Sequence, residues 1–323
     1  MGQTFYMIIL PVLLIVNEMI WETTGQCTEY STSCTYAANP GSVTDSSLTS
    51  RLAAFTPPAT KTSITAQSRN IKKIPPKIFV PYTVLTDLRL DNNIIDEVYC
   101  DSFDGLTTLT ELRLENNKLG MVPNISHMSN LVRLHLYNND ITHIPIGHLG
   151  TMPDLIQLFL QENPIKCIDD QHIFDSFPNL NMFKMFDTEL TKYPCQNHTT
   201  LQQFYISHAS FQTFNDCKPF LKLPSLTHFE LSYSALKEFP DLIGASNLRS
   251  LNLRNDQIDI MPNGTNLTFP NNSLTEILLY YHKFKTFPNR FFDRMNKLET
   301  FKASYGAAEV LEDHFMSGAE QLT

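Results

Sequence analysis

The side chains able to do chemistry here are six cysteines, ten histidines and 33 carboxylates in a chain of 323 residues. Metal binding would need cysteines and histidines at ligand spacing. No Cys-x-x-Cys pair and no Cys/His set of zinc spacing is present. Hydrolysis or group transfer would need a placed nucleophile, base or phosphate loop. G-x-S-x-G, H-E-x-x-H, the Walker loop and the dinucleotide fingerprint are all absent. Acid and histidine pairs exist, but nothing in the sequence gathers them into a pocket. The chain is therefore expected to be no enzyme and to need no metal or cofactor. Its formal charge of −9 argues against a general phosphate-binding surface, so no nucleic-acid partner is expected. Two kinds of covalent chemistry remain. The cysteines can form disulfides in an oxidising compartment. Asn124, Asn197, Asn263, Asn266 and Asn271 each open an N-x-S/T glycosylation acceptor.

Both kinds need an extracellular address, and residues 1–25 supply one. Met7–Val16 (MIILPVLLIV) is an apolar run too short to span a bilayer. Thr23, Thr24 and Gly25 are small residues that offer a cleavage site before Gln26. The segment is similar to a secretory signal peptide, although it lacks a basic residue before the apolar core. The expected location is secreted or on the extracellular side of the cell surface.

The element that positions everything else is Leu109–Leu119, LTELRLENNKL. It has the form L-x-x-L-x-L-x-x-N-x-L. The spacing i, i+3, i+5 is that of a short half-buried strand followed by a turn, not of an amphipathic helix. The frame recurs from Leu85, Leu131 and Leu155. Looser copies start at Leu180, Leu201, Leu226, Leu248, Leu274 and Leu298, and a degenerate one near Lys61. Successive starts lie 21–26 residues apart. One such coil cannot bury its own leucines, but stacked coils bury a continuous core. At the ninth position Asn93, Asn117, Asn139 and Asn163 form a ladder. Each is expected to bond backbone groups of neighbouring coils. From Thr188 onward the position holds Ala209, Ser234, Asp256, His282 and Gly306, so a less regular, less stable second half is expected.

Many repeats then carry a hydrophobic residue and a proline, as at Val122-Pro123, Ile144-Pro145 and Phe239-Pro240. A phenylalanine often follows, as at Phe79, Phe103, Phe174 and Phe292. Together with the frame, these features resemble the extracellular class of the leucine-rich repeat family. That class occurs in Toll-type receptor ectodomains, small leucine-rich proteoglycans and insect leucine-rich immune proteins. The resemblance covers about Lys61 to the C-terminus. It implies an α/β solenoid, a curved horseshoe with short parallel strands on its concave face and irregular or 3-10 turns on its convex face.

Three segments follow. Residues 1–25 are the signal peptide. Residues 26–60, rich in Ser and Thr, are a reduced cap or linker. Residues 61–323 are the solenoid. Leu322 lies 24 residues after Leu298 and opens another frame, so the solenoid is expected to continue past Thr323. Membrane attachment would reside only in that missing part. Cys27 and Cys34 are close enough to close a small loop. Cys195 and Cys217 fall 15 and 16 residues into adjacent repeats, within disulfide reach; Cys167 with Cys195 is the rival pairing. Cys100 is left as a free thiol, a partner of the N-terminal segment, or a bond to another chain.

The third, fifth, seventh and eighth positions of each frame are expected to face outward on the concave side. Early coils present Asp87, Arg89, Asp91, Glu111, Arg113, Glu115 and Arg133. Later coils present Tyr137, Phe159, Met182, Phe186, Tyr205, Tyr233, Leu278 and Tyr280, with Tyr281 and Tyr305. His135, His208 and His228 share the face. Aromatic residues are enriched in binding hot spots, so this stripe is the candidate ligand-binding surface. The sequons all fall after the strand and would leave it bare. The expected function is an extracellular recognition module for a protein or microbial ligand, with homo- or heterodimers conceivable. Innate immunity is suggested by the resemblance alone. The alternative is a matrix or cell-adhesion protein.

Overall fold

A computed structural model of the chain describes residues 48, 49, 52, 58–168, 173–187, 190, 195, 197–214, 217–254, 256–259, 261, 273–287, 291, 292, 295–303, 310 and 311. The signal peptide, the Cys27 and Cys34 pair, Tyr305 and the frame at Leu322 lie outside them.

Eleven short strands form one sheet in strict chain order, every pair parallel. They are β1 (Ser63–Thr65), β2 (Asp87–Arg89), β3 (Glu111–Arg113), β4 (Arg133–His135), β5 (Gln157–Phe159) and β6 (Met182–Met185), followed by β7 (Gln203–Ser207), β8 (His228–Ser232), β9 (Ser250–Arg254), β10 (Glu276–Leu278) and β11 (Thr300–Lys302). This is the solenoid that the repeat frame implies. Parallel neighbours need a long crossover, and here the remainder of each coil provides it. Two-residue strands pair on the outer part of some coils, as Lys73–Ile74 does with Glu97–Val98. The described helices are single turns, Pro58–Thr60, Ile173–Ser176 and Pro219–Lys222.

Register is set by the fourth frame position. Ile64, Leu88, Leu112, Leu134, Leu158, Phe183, Phe204, Phe229, Leu251 and Ile277 pair in one row, all buried. Leucine gives way to phenylalanine in β6–β8, and the rings stack at 5.6 and 5.8 Å between centroids. A second stack, Phe79 on Phe103 at 5.9 Å, fills the convex side.

The asparagine ladder forms as the frame requires. The Asn117 side-chain oxygen accepts from the Ile95 N–H (3.0 Å), and its amide donates to the carbonyls of Leu90 and Leu114 (3.0 Å each). Asn93, Asn139 and Asn163 repeat the arrangement. The turn before each ladder residue is left-handed. Ser68, Asn92, Asn116, Asn138, Glu162, Asp187, His208, Tyr233 and Tyr281 all have φ between 52° and 61°. These are the eighth positions, so they stand outward because the chain turns there, not because the strand continues.

The second half departs from the first in an unexpected way. Where the ladder amides end, strands lengthen: β7, β8 and β9 have five residues each, against three in β1–β5. Backbone pairing along the strand replaces part of what the amides supply elsewhere. The sheet thus continues regularly where less regularity was expected.

Cys195 and Cys217 are joined in a disulfide, Cα–Cα 5.8 Å, which sets aside the rival Cys167–Cys195 pairing. Cys100 is also disulfide-bonded, so it is not a free thiol.

Candidate concave recognition face

Strand pairing places the fifth frame positions in one row: Arg89, Arg113, His135, Phe159, Lys184, Tyr205, Glu230, Asn252, Leu278 and Lys302. Neighbouring coils sit roughly 4.8 Å apart, so adjacent side chains in this row touch.

At the first end the row is a charge network. Glu111 accepts from Arg113 Nε (2.6 Å) and from Arg133 Nε and its terminal nitrogen (2.9 and 2.7 Å). Burial raises the Glu111 pKa, but the bonds from Arg113 and Arg133 outweigh it and hold the carboxyl below its usual range. Arg113 also lies 3.7 Å from Glu115, and Arg89 lies 3.9 Å from Asp91. The sequence suggested that these acids are presented to solvent. Instead Asp91, Glu111 and Glu115 are buried, with 5%, 7% and 3% of their surface exposed. The cause is lateral packing on a parallel sheet: each carboxylate lies against arginines of its own and adjacent strands. Arg133 alone among these groups keeps an exposed position.

In the middle the row turns aromatic. His135 packs on Phe159 at 4.8 Å and approaches Tyr137 at 6.4 Å. Burial, with Arg113 beside it, pushes the His135 pKa down to about 4, so the ring is neutral at physiological pH. Lys184 then lies between two rings, 5.9 Å from Phe159 and 5.1 Å from Tyr205. Tyr205 meets Phe186 edge-on at 6.0 Å. Further on, His208 stacks on Tyr233 at 4.8 Å, and Arg254 lies 5.3 Å from the Tyr280 ring. Such cation–ring contacts contribute about 0.5–1 kcal/mol at exposed sites.

Tyr137, Phe159, Met182, Phe186, Tyr205, Leu278 and Tyr280 are all half-buried. Tyr233 and Tyr281 are more open, with 51% and 50% of their surface exposed. The face brings Tyr137, Phe159, Phe186 and Tyr205 into one cluster. Met182 lies in the adjoining row between Gln157 and Gln203. Leu278 and Tyr280 lie towards the far end, on and just after β10. What sequence reasoning missed is Lys184 and Arg254, which are spaced among the rings. Their fifth and seventh frame positions were the available signal.

A His–Asp pair does occur on the rim: His208 Nδ1 lies 2.6 Å from Asp187. The Ser207 hydroxyl is 3.1 Å from that same nitrogen. Both partners share one side of the ring, so the pair does not form a relay from acid to nucleophile. Among the described residues no group of three His, Cys, Asp or Glu side chains could hold a metal ion, and no helix is long and apolar enough to cross a membrane. Asn197 is exposed, and Asn124 accepts from the Ser126 N–H and hydroxyl in a turn; both lie off the eleven-stranded sheet. The other three sequons fall outside the described residues.

No family model matches the chain. The leucine-rich repeat-containing G-protein coupled receptor 5 of Xenopus tropicalis is 27% identical over 135 residues, 42% of this chain but 15% of the receptor's own length. Receptor 5A of Xenopus laevis is 29% identical over the same extent. Among solved structures, the complex of Latrophilin 3, Unc5D and FLRT2 (LRR) contains a chain similar to 61% of this one over 62% of its own length, with TM-score 0.56 and 22% identity. The plant peptide hormone receptor RGFR1, solved with RGF2, matches 81% of this chain over 46% of its own, with TM-score 0.58 and 21% identity. At such identities the structural likeness is one of fold. The recurrent frame, the single parallel sheet with its amide ladder, and these likenesses together identify the chain as a leucine-rich repeat protein.

Proposed function

We propose that this chain is an extracellular recognition module that binds a protein or microbial ligand through its concave face. The observation that carries the reading is the cluster on β4–β7. Phe159, Lys184 and Tyr205 stand in register, flanked by Tyr137 and Phe186, on strands that no described residue covers. Rings and cations that remain partly open after packing on each other match the composition of binding hot spots. Eleven strands give a face roughly 50 Å long, which suits a macromolecule more than a metabolite. The likeness to FLRT2 and RGFR1, each solved with protein or peptide partners, supports the same use. Secretion rests on the N-terminal segment and the disulfides, and a role in innate immunity rests on family resemblance.

The test is affinity capture from extracellular fluid on the immobilised chain. F159A/F186A should lose capture by at least tenfold, about 1.4 kcal/mol or more, while secretion and melting stay near wild type. Undiminished capture by the double variant would remove the concave cluster as the site. The adhesion reading has one observation of its own, the FLRT2 complex with Unc5D and Latrophilin 3. Self-association of the purified chain would favour it.

A further inference from the structure

In the first half of the solenoid the ladder residue is an amide. Its oxygen accepts a backbone N–H, and its nitrogen donates to two buried carbonyls. In the coil that follows β9 the same position is Asp256, with 1% of its surface exposed. One oxygen, Oδ1, accepts from the Ser234 N–H (2.9 Å) and the Ser234 hydroxyl (2.5 Å). The other, Oδ2, is buried and has no hydrogen-bond partner. An ionised carboxylate with one bare oxygen in a dry interior is costly. A carboxylic acid is not equivalent: it accepts on one oxygen and donates from the other, the asymmetry that the ladder amide has.

We infer that Asp256 keeps its proton in the folded chain, that the protonated form is the one that fits the ladder row, and that the packing of the coils around β8–β10 is consequently pH-sensitive. Burial pushes the Asp256 pKa up to about 7, against the opposing hydrogen bonds from Ser234. The groups around it do not supply a counter-charge. From the preceding coil comes uncharged Ser234, with Lys237 exposed to solvent. On its own coil Arg254 is turned onto the Tyr280 ring, and Asp259 is exposed. On the following coil the equivalent position is His282, stacked on Phe284 at 3.6 Å and held neutral by burial, while Lys283 is exposed.

The direction follows from linkage. The folded pKa lies above the unfolded value, so the folded chain holds a proton that the unfolded chain has released. Stability from this site is complete below about pH 4, falls as pH rises to about 7, and stays low above it. Acid tightens these coils and mild alkali loosens them.

Two measurements test this on the full chain. The first follows the Asp256 side-chain carbon resonance through a pH titration; it should move near neutrality. Movement near pH 4 would overturn the inference. The second compares thermal unfolding of the wild type and Asp256→Asn. Asparagine carries a permanent donor, so the variant should match the wild type in acid and exceed it increasingly as pH rises. The unfolding constants should diverge by at most about tenfold per pH unit. A constant difference between the two chains across that range would overturn the inference equally. Should the variant fail to fold, the wild-type titration decides alone.

Discussion

Asn116 and Asn117 are neighbours in sequence and opposites in energetic role. Asn117 is buried and satisfies three backbone groups of two coils. Asn116 is exposed and bonds only its counterparts Asn92 and Asn138 along the rim. Asn117→Ala should cost about 3 kcal/mol, because each buried group left unpaired costs roughly 1–3 kcal/mol. Asn116→Ala should cost under about 1 kcal/mol, partly because alanine is also less suited to the left-handed backbone at φ 55°. Urea unfolding of both variants checks the contrast, and equal losses would contradict it. The ladder was legible in the sequence, because Asn93, Asn117, Asn139 and Asn163 recur at one frame position. The proton on Asp256 was not, since it depends on which oxygen finds a partner once the coil closes.

The coil is the element that repeats, and its closest approach is made by backbone. Gly150 has φ 61°, and a Cβ there would lie 2.5 Å from the Ser126 carbonyl oxygen and 2.6 Å from its Cα. Backbone of the preceding coil cannot move aside as a side chain would. Gly150→Ala should therefore destabilise by about 3 kcal/mol or more, from strain at positive φ together with overpacking. Gly120 has open space around it and no positive φ, so Gly120→Ala serves as the matched control, with a change within about 0.5 kcal/mol. Thermal melts of the two decide, and a neutral Gly150→Ala would contradict the packing described. Strand positions were legible here because leucine alternation fixes which face is buried. Strand length was not. Gln203–Ser207 and Ser250–Arg254 extend by backbone pairing, which leaves little trace in side-chain pattern.

Across the whole molecule, the sheet converts a one-dimensional repeat into a surface whose character changes along its length. Charge dominates β2–β4, and rings spaced by Lys184 and Arg254 dominate β4–β10. The frame told which residues share this face, so Phe159, Phe186 and Tyr205 could be named in advance. It did not tell how neighbours in a row satisfy one another. That is why Asp91 and Glu115 are buried among arginines, and why most of the aromatic stripe is half-covered by its own members. The claim at this scale is that the partner lies across β4–β7. Photo-cross-linking tests it most directly. Benzoylphenylalanine would replace Phe159 or Tyr205 on the face, and Ile94 or Ile146 as exposed positions off the eleven-stranded sheet. The account predicts the same covalent partner from positions 159 and 205 in extracellular fluid, and none from 94 or 146. Adducts confined to positions 94 and 146, or formed equally at all four, would contradict it.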